Sequence, residues 1–264
     1  MYSFDYQRPA DRAAASAALQ GDARYLAGGQ SLVQAMKLRL SQSQRLVDLG
    51  GIADLRGIRV DSGNAIIGAM STHADVAAST DVRRAIAALA ELAGGIGDPM
   101  VRNMGTLGGA IANADPAACY PAAVLALGAT VQTSKRSIAG DQFFTGLYET
   151  ALNPGELITA VSFPIPQKAA YVKFKQPASR FALVGVFVAK TAGGVRVAVT
   201  GCKSSVFRAK PLEDALNASF TPEAAKGVKL PATGINSDMH GSAEYRAAMI
   251  SVMASRAVAA ALAR

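Results

Sequence analysis

Two short stretches of this chain share one grammar. Residues 25–40, YLAGGQSLVQAMKLRL, run from an apolar strand-like segment through a glycine pair and a serine into an amphipathic helix. Residues 101–116, VRNMGTLGGAIANADP, again set a hydroxyl residue beside a glycine pair among small neighbours. Glycine leaves the backbone N–H unshielded, and a helix start adds the positive end of its dipole. Such a loop suits an anion, with phosphate or pyrophosphate the natural ligand. For each loop alone, a plain tight turn with glycine at positive φ is the alternative. Neither loop matches G-x-G-x-x-G or the P-loop pattern ending in Gly-Lys-Ser/Thr. A nucleotide held here would follow another fold's rules.

The segments around the loops alternate between strand and helix. RPADRAAASAALQG reads as a helix with Pro9 in its first turn and Gly21 as its stop. ARYLAGG, SLVQAMKLRL and RLVDLG then read as strand, helix and strand, a small βαβ unit, with Ser31 able to cap the helix or donate to a phosphate oxygen. Residues 58–69 form a hairpin around Ser62-Gly63-Asn64. STDVRRAIAALAELAGG and DPAACYPAAVLALGA read as single helices. TVQTS and ELITAVSFPI read as strands, the second preceded by the turn Asn153–Gly155. After residue 164 the texture changes. Three β-prone runs, AYVKFKQ, FALVGVFVAK and GVRVAVTGC, come in close succession, with Gly193-Gly194 as a turn, and helices follow. Tyr245, Met249, Val252 and Met253 share one side of the last helix, and a domain boundary falls near Pro164–Ala170.

Composition narrows the classes. At 264 residues and half hydrophobic, the chain can bury the cores of two or three compact units. No apolar run reaches the ~18–20 residues that cross a bilayer. The N-terminus shows no charged-then-apolar signal pattern, so a cytoplasmic protein is the expectation. The net charge is +8 and the pI about 9.7. Its Lys and Arg residues are scattered and alternate with no aromatic series, which argues against nucleic acid and for a solvated basic surface or acidic ligands and partners. Two cysteines, Cys119 and Cys202, and two histidines, His73 and His240, fit no zinc, haem or cluster spacing. No resident metal is expected.

AGGQSLVQAMKLRL, THADV, IGDPMVRNMGTLGGAIANADPAACYPAAVLALGA and AEYRAAMISVMASRAVAAAL, in that order, resemble the FAD-binding medium subunit of the molybdenum hydroxylases, the xanthine dehydrogenase and carbon monoxide dehydrogenase family. The resemblance covers nearly the whole chain. It implies an α+β protein: two FAD-binding subdomains of the PCMH/vanillyl-alcohol-oxidase type, at 1–55 and 56–165, and a C-terminal domain of a three-stranded antiparallel sheet plus helices at 168–264. Ala27, Gly28, Gly29, Gln30 and Ser31 would hold the FAD pyrophosphate through backbone amides, and Thr106, Leu107, Gly108 and Gly109 would form the second loop. Thr72 in THADV would join the cofactor contacts. FKQ implies a lysine near the flavin, a role carried to Lys175; an ordinary solvent-facing strand lysine is the alternative. Leu157 would pack near the flavin ring or serve simply as a core residue.

There are departures. Relatives commonly carry Asp or Glu where this chain has Cys119, to contact the FAD ribose. Asp115 could substitute, or cap a helix beginning near Pro116, the reading favoured by propensity. Gln30 stands where relatives often have His, and the SRFALVG stretch lacks an acidic residue. His73 reads best as a structural hydrogen bond in a loop.

The implied role is an electron-transfer subunit. It would take electrons from [2Fe–2S] clusters on a small partner, while a large molybdopterin partner performs the hydroxylation, in a dimer of heterotrimers. FAD suits the task because it exchanges electrons singly or in pairs. Two other readings stay open: a self-contained flavin oxidase or reductase, and a scaffold subunit that has lost FAD. The substrate and terminal acceptor are not legible.

Overall fold

The computed structural model describes all 264 residues. The first unit contains β1 (Asp5–Gln7), α1 (Arg12–Ala18), β2 (Ala23–Leu26), α2 (Leu32–Lys37) and β3 (Arg45–Asp48). Both outer strands pair parallel with β3, in the order β1-β3-β2. The expected βαβ arrangement is present, β2 running through the first glycine loop into α2. α1 begins later than expected. Asp11 accepts a hydrogen bond from the Ala14 amide and caps the helix, so Pro9 stays outside it. The small core here packs Ala15, Val47, Leu49 and Ile52 against Met70 and Leu157 of the next unit.

That next unit opens with the hairpin β4 (Ile58–Asp61) and β5 (Asn64–Gly68), turned at Ser62 and Gly63 with φ of 48° and 77°. Six helices follow: α3 (His73–Ala78), α4 (Thr80–Ala85), α5 (Ala87–Gly94), α6 (Pro99–Met104), α7 (Leu107–Asn113) and α8 (Tyr120–Ala126). Then come β6 (Thr130–Thr133), β7 (Ser137–Ala139), α9 (Gly140–Phe143), the hairpin β8 (Phe144–Gly146) and β9 (Glu149–Thr150), and β10 (Ile158–Pro164). An antiparallel sheet in the order β4-β5-β10-β6-β7 carries this layer. STDVRRAIAALAELAGG forms two helices rather than one. Ile86 leaves helical space at φ −143° and is buried where α4 hands over to α5.

The C-terminal unit pairs β11 (Lys168–Lys175), β12 (Ala182–Thr191), β13 (Gly194–Thr200) and β14 (Phe207–Arg208), all antiparallel. The sheet has four strands rather than three, because Phe207 and Arg208 return to pair with Val199 and Ala198. Two residues carry too little pattern to read as a strand. α10 (Lys210–Ala218), α11 (Pro222–Gly227) and α12 (Ala243–Leu262) cover one face. The buried stripe of α12 is Ala247, Ile250, Ala254, Ala257, Val258 and Ala261 with Met253, while Tyr245 is exposed. Small alanines let the helix lie close to the sheet; of the larger residues read onto one side, Met253 is in the core, Met249 and Val252 pack against it, and only Tyr245 is exposed. β12 serves two cores: Val184, Val186 and Val188 point toward α10 and α12, Phe187 and Ala189 toward α8.

Candidate functional site

A cavity of about 510 Å³ lies between the two glycine loops. Ala27, Gly28, Gly29, Gln30 and Ser31 form one lip; Gly105, Thr106, Gly108 and Gly109 form the other. The lips touch. A β-carbon on Gly28 would lie 2.0 Å from the Met104 carbonyl oxygen, and one on Gly109 would lie 3.3 Å from Ala27 Cβ. Glycine at Gly28 is therefore a condition of closing the site, and Gly29 adopts φ +71°.

The two loops are not equivalent. In the first, the amides of Gln30, Ser31 and Leu32 donate to no protein group, as the first turn of a helix dictates. Ser31 is exposed and makes no side-chain cap, so its hydroxyl is free as well. Gln30 folds back through Nε2 onto the Gly28 carbonyl at 3.2 Å. In the second, the Leu107 amide donates to Ser71 O at 3.1 Å and the Gly108 amide to Ala69 O at 2.8 Å. A β-carbon on Gly108 would meet Ala69 Cβ at 2.6 Å, so this glycine lets α7 approach the end of β5. The Gly109 amide donates to Thr106 Oγ1 at 3.1 Å, the N-cap of α7. With these three amides engaged, what the second loop offers a ligand is the Thr106 hydroxyl, which can still donate its own proton, with little side chain in the way.

Asp115, Cys119 and Leu157 also line the cavity. Asp115 caps no helix: Oδ1 accepts from the Ala117 amide at 2.8 Å in a local turn, Oδ2 accepts from Tyr148 Oη at 3.4 Å, and α8 starts only at Tyr120. Cys119 is buried in the wall, and its Sγ accepts from Lys173 Nζ at 3.4 Å. Leu157 is buried at the apolar end, beside Leu49, Met70 and Ile158.

Three expected residues stand away from the lining. Thr72 makes a capping box with Asp75 at the start of α3. Leu107 is a fully buried core residue. Lys175 is exposed at the end of β11, where the register with β12 slips between Phe174 and Lys175. The lysine on the cavity wall is Lys173, whose ammonium donates to Gly95 O and Arg180 O, both at 2.9 Å, as well as to Cys119. Alternation along β11 places Tyr171 and Lys173 on the side of Cys119, and the chain reaches solvent one pleat later.

Several lining residues carry no motif signal. The Glu156 carboxylate is buried and accepts from Thr133 Oγ1 at 2.6 Å, Arg136 Nε at 3.1 Å and the Asn153 amide at 2.9 Å. Burial alone would push its pKa up; the bonds from Arg136, Thr133 and Asn153 win and hold it at about 2. Arg180, at φ 63°, reaches across to Gly97 O at 3.0 Å, beside the half-exposed Phe181. His73 is buried, and its Nδ1 has no partner, in place of the expected structural hydrogen bond. Burial and the nearby Arg102 pull its pKa down to about 4.

Residues 2–166 match the family model described as the FAD binding domain in molybdopterin dehydrogenase. The chain is similar to the carbon monoxide dehydrogenase medium chain of Afipia carboxidovorans, 37% identical over 99% of this chain and 98% of that one. It is similar to the nicotine 6-hydroxylase medium subunit of Paenarthrobacter nicotinovorans, 34% identical over 92% and 91%. Among solved structures, reconstituted CO dehydrogenase from Oligotropha carboxidovorans superposes with a TM-score of 0.89 at 35% identity, covering 100% of this chain and 99% of that one. No helix is long and apolar enough to cross a membrane.

Proposed function

Because the chain belongs to the FAD-binding medium subunits of the molybdenum hydroxylases, we propose that it is the electron-relaying oxidoreductase subunit of a three-component enzyme. The residues fit the dinucleotide. Free amides at Gln30, Ser31 and Leu32 and the Ser31 hydroxyl stand on one lip of the cavity, and the Thr106 hydroxyl stands on the other. These groups would hold the diphosphate by dipoles. Lys173 and Cys119 line one wall, and Leu157 with Met70 and Leu49 gives an apolar bed for a flat ring. When bound, FAD supplies a centre that accepts electrons singly or in pairs and passes them on.

The protein's own part is to bind, orient and shield. Lys173 ties the loop at Gly95 to the β11–β12 turn at Arg180, so the cation is fixed rather than mobile. Glu156 anchors the turn that precedes Leu157 through its bonds to Asn153. The division into subdomains at 1–55 and 56–165 and a domain at 168–264, and the kinship to the PCMH/vanillyl-alcohol-oxidase fold, belong to the same reading. So do a small [2Fe–2S] partner as electron donor, a large molybdopterin partner as the hydroxylating subunit, and a dimer of heterotrimers in the cytoplasm.

The observation that carries the proposal is the set of unused amides at the first loop, opposite the second. It is tested by purifying the chain and recording its visible spectrum, then assaying dye reduction with and without the partner subunits. A flavin band with no activity alone, and activity on reconstitution, is the expected result. Turnover by the isolated chain would indicate a self-contained flavoenzyme. A colourless chain that cannot be loaded with FAD would indicate a scaffold.

A further inference from the structure

His73 is the first residue of α3 and is held there from both sides. The Thr72–Asp75 capping box fixes the helix start, and the His73 amide donates to Gly105 O at 2.9 Å. The Nε2–Cδ2 side of the imidazole lies close against the second loop: a β-carbon on Gly105 would come within 2.6 Å of Nε2 and 2.9 Å of Cδ2. On another side is Tyr120, its ring centroid 5.4 Å away. The residue is 4% exposed, yet it lines the cavity, while Nδ1 is sealed and without a partner. The edge that reaches the lumen is therefore the one bearing Nε2.

A neutral imidazole carries one N–H, and the surroundings select which nitrogen holds it. A proton on Nδ1 would be a buried donor with no acceptor, a fault that costs about 1–3 kcal/mol. A lone pair left unpaired there is better tolerated than an orphan donor. The proton belongs on Nε2. Arg102 and burial keep the ring from taking up a second one near neutrality.

We infer that His73 is a neutral hydrogen-bond donor that presents Nε2–H to an acceptor oxygen of the bound dinucleotide, beside the Thr106 loop. This rests on the cavity's being the FAD site. The residue is a positioning and binding group: it adds a directed, uncharged donor where the second loop has spent the Leu107 and Gly108 amides on the protein itself.

The chain has only two histidines, His73 and His240, so long-range ¹⁵N–¹H NMR of the ¹⁵N-histidine-labelled full chain reads the tautomer directly. The Nε2–H form is expected in the apoprotein, with a downfield shift of that proton when FAD is added. FAD dissociation constants of His73→Gln, His73→Asn and His73→Phe provide the second readout. Gln can place an amide N–H near the Nε2 position and should bind within about threefold of the parent. Asn, which reaches only as far as Nδ1, and Phe, which has no donor, should bind about tenfold more weakly, the loss of roughly one hydrogen bond. An Nδ1–H or imidazolium ring, or equal FAD affinity in His73→Phe, overturns the inference and leaves the FAD site standing. Failure of the parent chain to bind FAD under any loading condition overturns the site itself. Should His73→Phe not fold, the tautomer and its response to FAD in the parent still decide.

Discussion

Gly28 and Met104 belong to different lips of the cavity, and the backbone of one passes so close to the other that no side chain fits between them: a β-carbon on Gly28 would stand 2.0 Å from the Met104 oxygen. That oxygen is main chain and cannot swing aside. Gly28→Ala should therefore part the two loops, costing about 1–3 kcal/mol of stability. FAD content after purification should drop sharply, read as the ratio of flavin to protein absorbance. Full flavin occupancy in this variant would mean that the lips need not touch.

Gly108 answers to a different neighbour. Gly108→Ala presses against Ala69 Cβ and the Ala69 carbonyl, 2.6 and 2.8 Å from the new atom. It should lower the melting temperature by several degrees even in protein stripped of flavin. Differential scanning fluorimetry of the apoprotein checks this. A variant that melts like the parent but loses FAD would make Gly108 a ligand contact instead of a packing position.

Lys173 and Lys175 separate by substitution. Lys173→Met removes the ammonium that bonds Gly95 O, Arg180 O and Cys119 Sγ on the cavity wall. FAD affinity should fall about tenfold, measured by quenching of flavin fluorescence. Lys175→Met, at an exposed strand end, should stay within about twofold. The opposite order would return the cationic role to Lys175.

Acid should weaken the fold in two steps. His73 has a folded pKa of about 4, below the roughly 6.5 of a free histidine. The unfolded chain takes up the proton first, so stability is full above about pH 6.5 and is lost as pH falls toward 4, by about 3 kcal/mol. Glu156 is held near 2, against 4.5 when free, so its contribution is present above about 4.5 and is lost between there and 2. Urea unfolding followed against pH should show both slopes, with His73→Phe removing the upper and Glu156→Gln flattening the lower. A parent chain whose stability is flat between pH 4 and 6.5 would mean that His73 charges freely in the folded state.

Arg246 is buried on α12 and bonds Leu183 O and Gly201 O at 2.9 Å, with a two-pronged contact to Asp238. Asp238→Asn removes the charge beneath a sealed guanidinium. Because the Asp238 side chain is itself 47% exposed, the change should cost no more than about 1 kcal/mol. Chemical denaturation of the apoprotein measures it.

Much of this was open to reading in the residues. The glycine pairs, the βαβ start and the three long C-terminal strands have periods and turn residues that local chemistry dictates. What escaped reading depends on distant partners. Which lysine lines the cavity turns on a slip of pairing between Phe174 and Lys175, which no alternation pattern announces. The inner face of α12 sets Ala247, Ala254, Ala257 and Ala261 among Ile250, Met253 and Val258, and the alanines' smallness hides their part in it. The second loop looked like the first because glycines look alike; only the carbonyls of Ala69 and Ser71, some forty residues away along the chain, show that its amides are already engaged. In the sequence His73 reads as a structural hydrogen bond; it is instead a buried ring whose Nδ1 has no partner, which is visible only when everything around it is.

The alternate residues of β12 have one further meaning. Phe187 and Ala189 finish the interior that begins with the nucleotide module, while Val184, Val186 and Val188 finish the one beneath α12. A party wall of this kind cannot be assigned to either house. Cutting the chain after residue 166, where the matched family domain stops, would strip a greasy flank bare and is expected to leave a fragment prone to clumping.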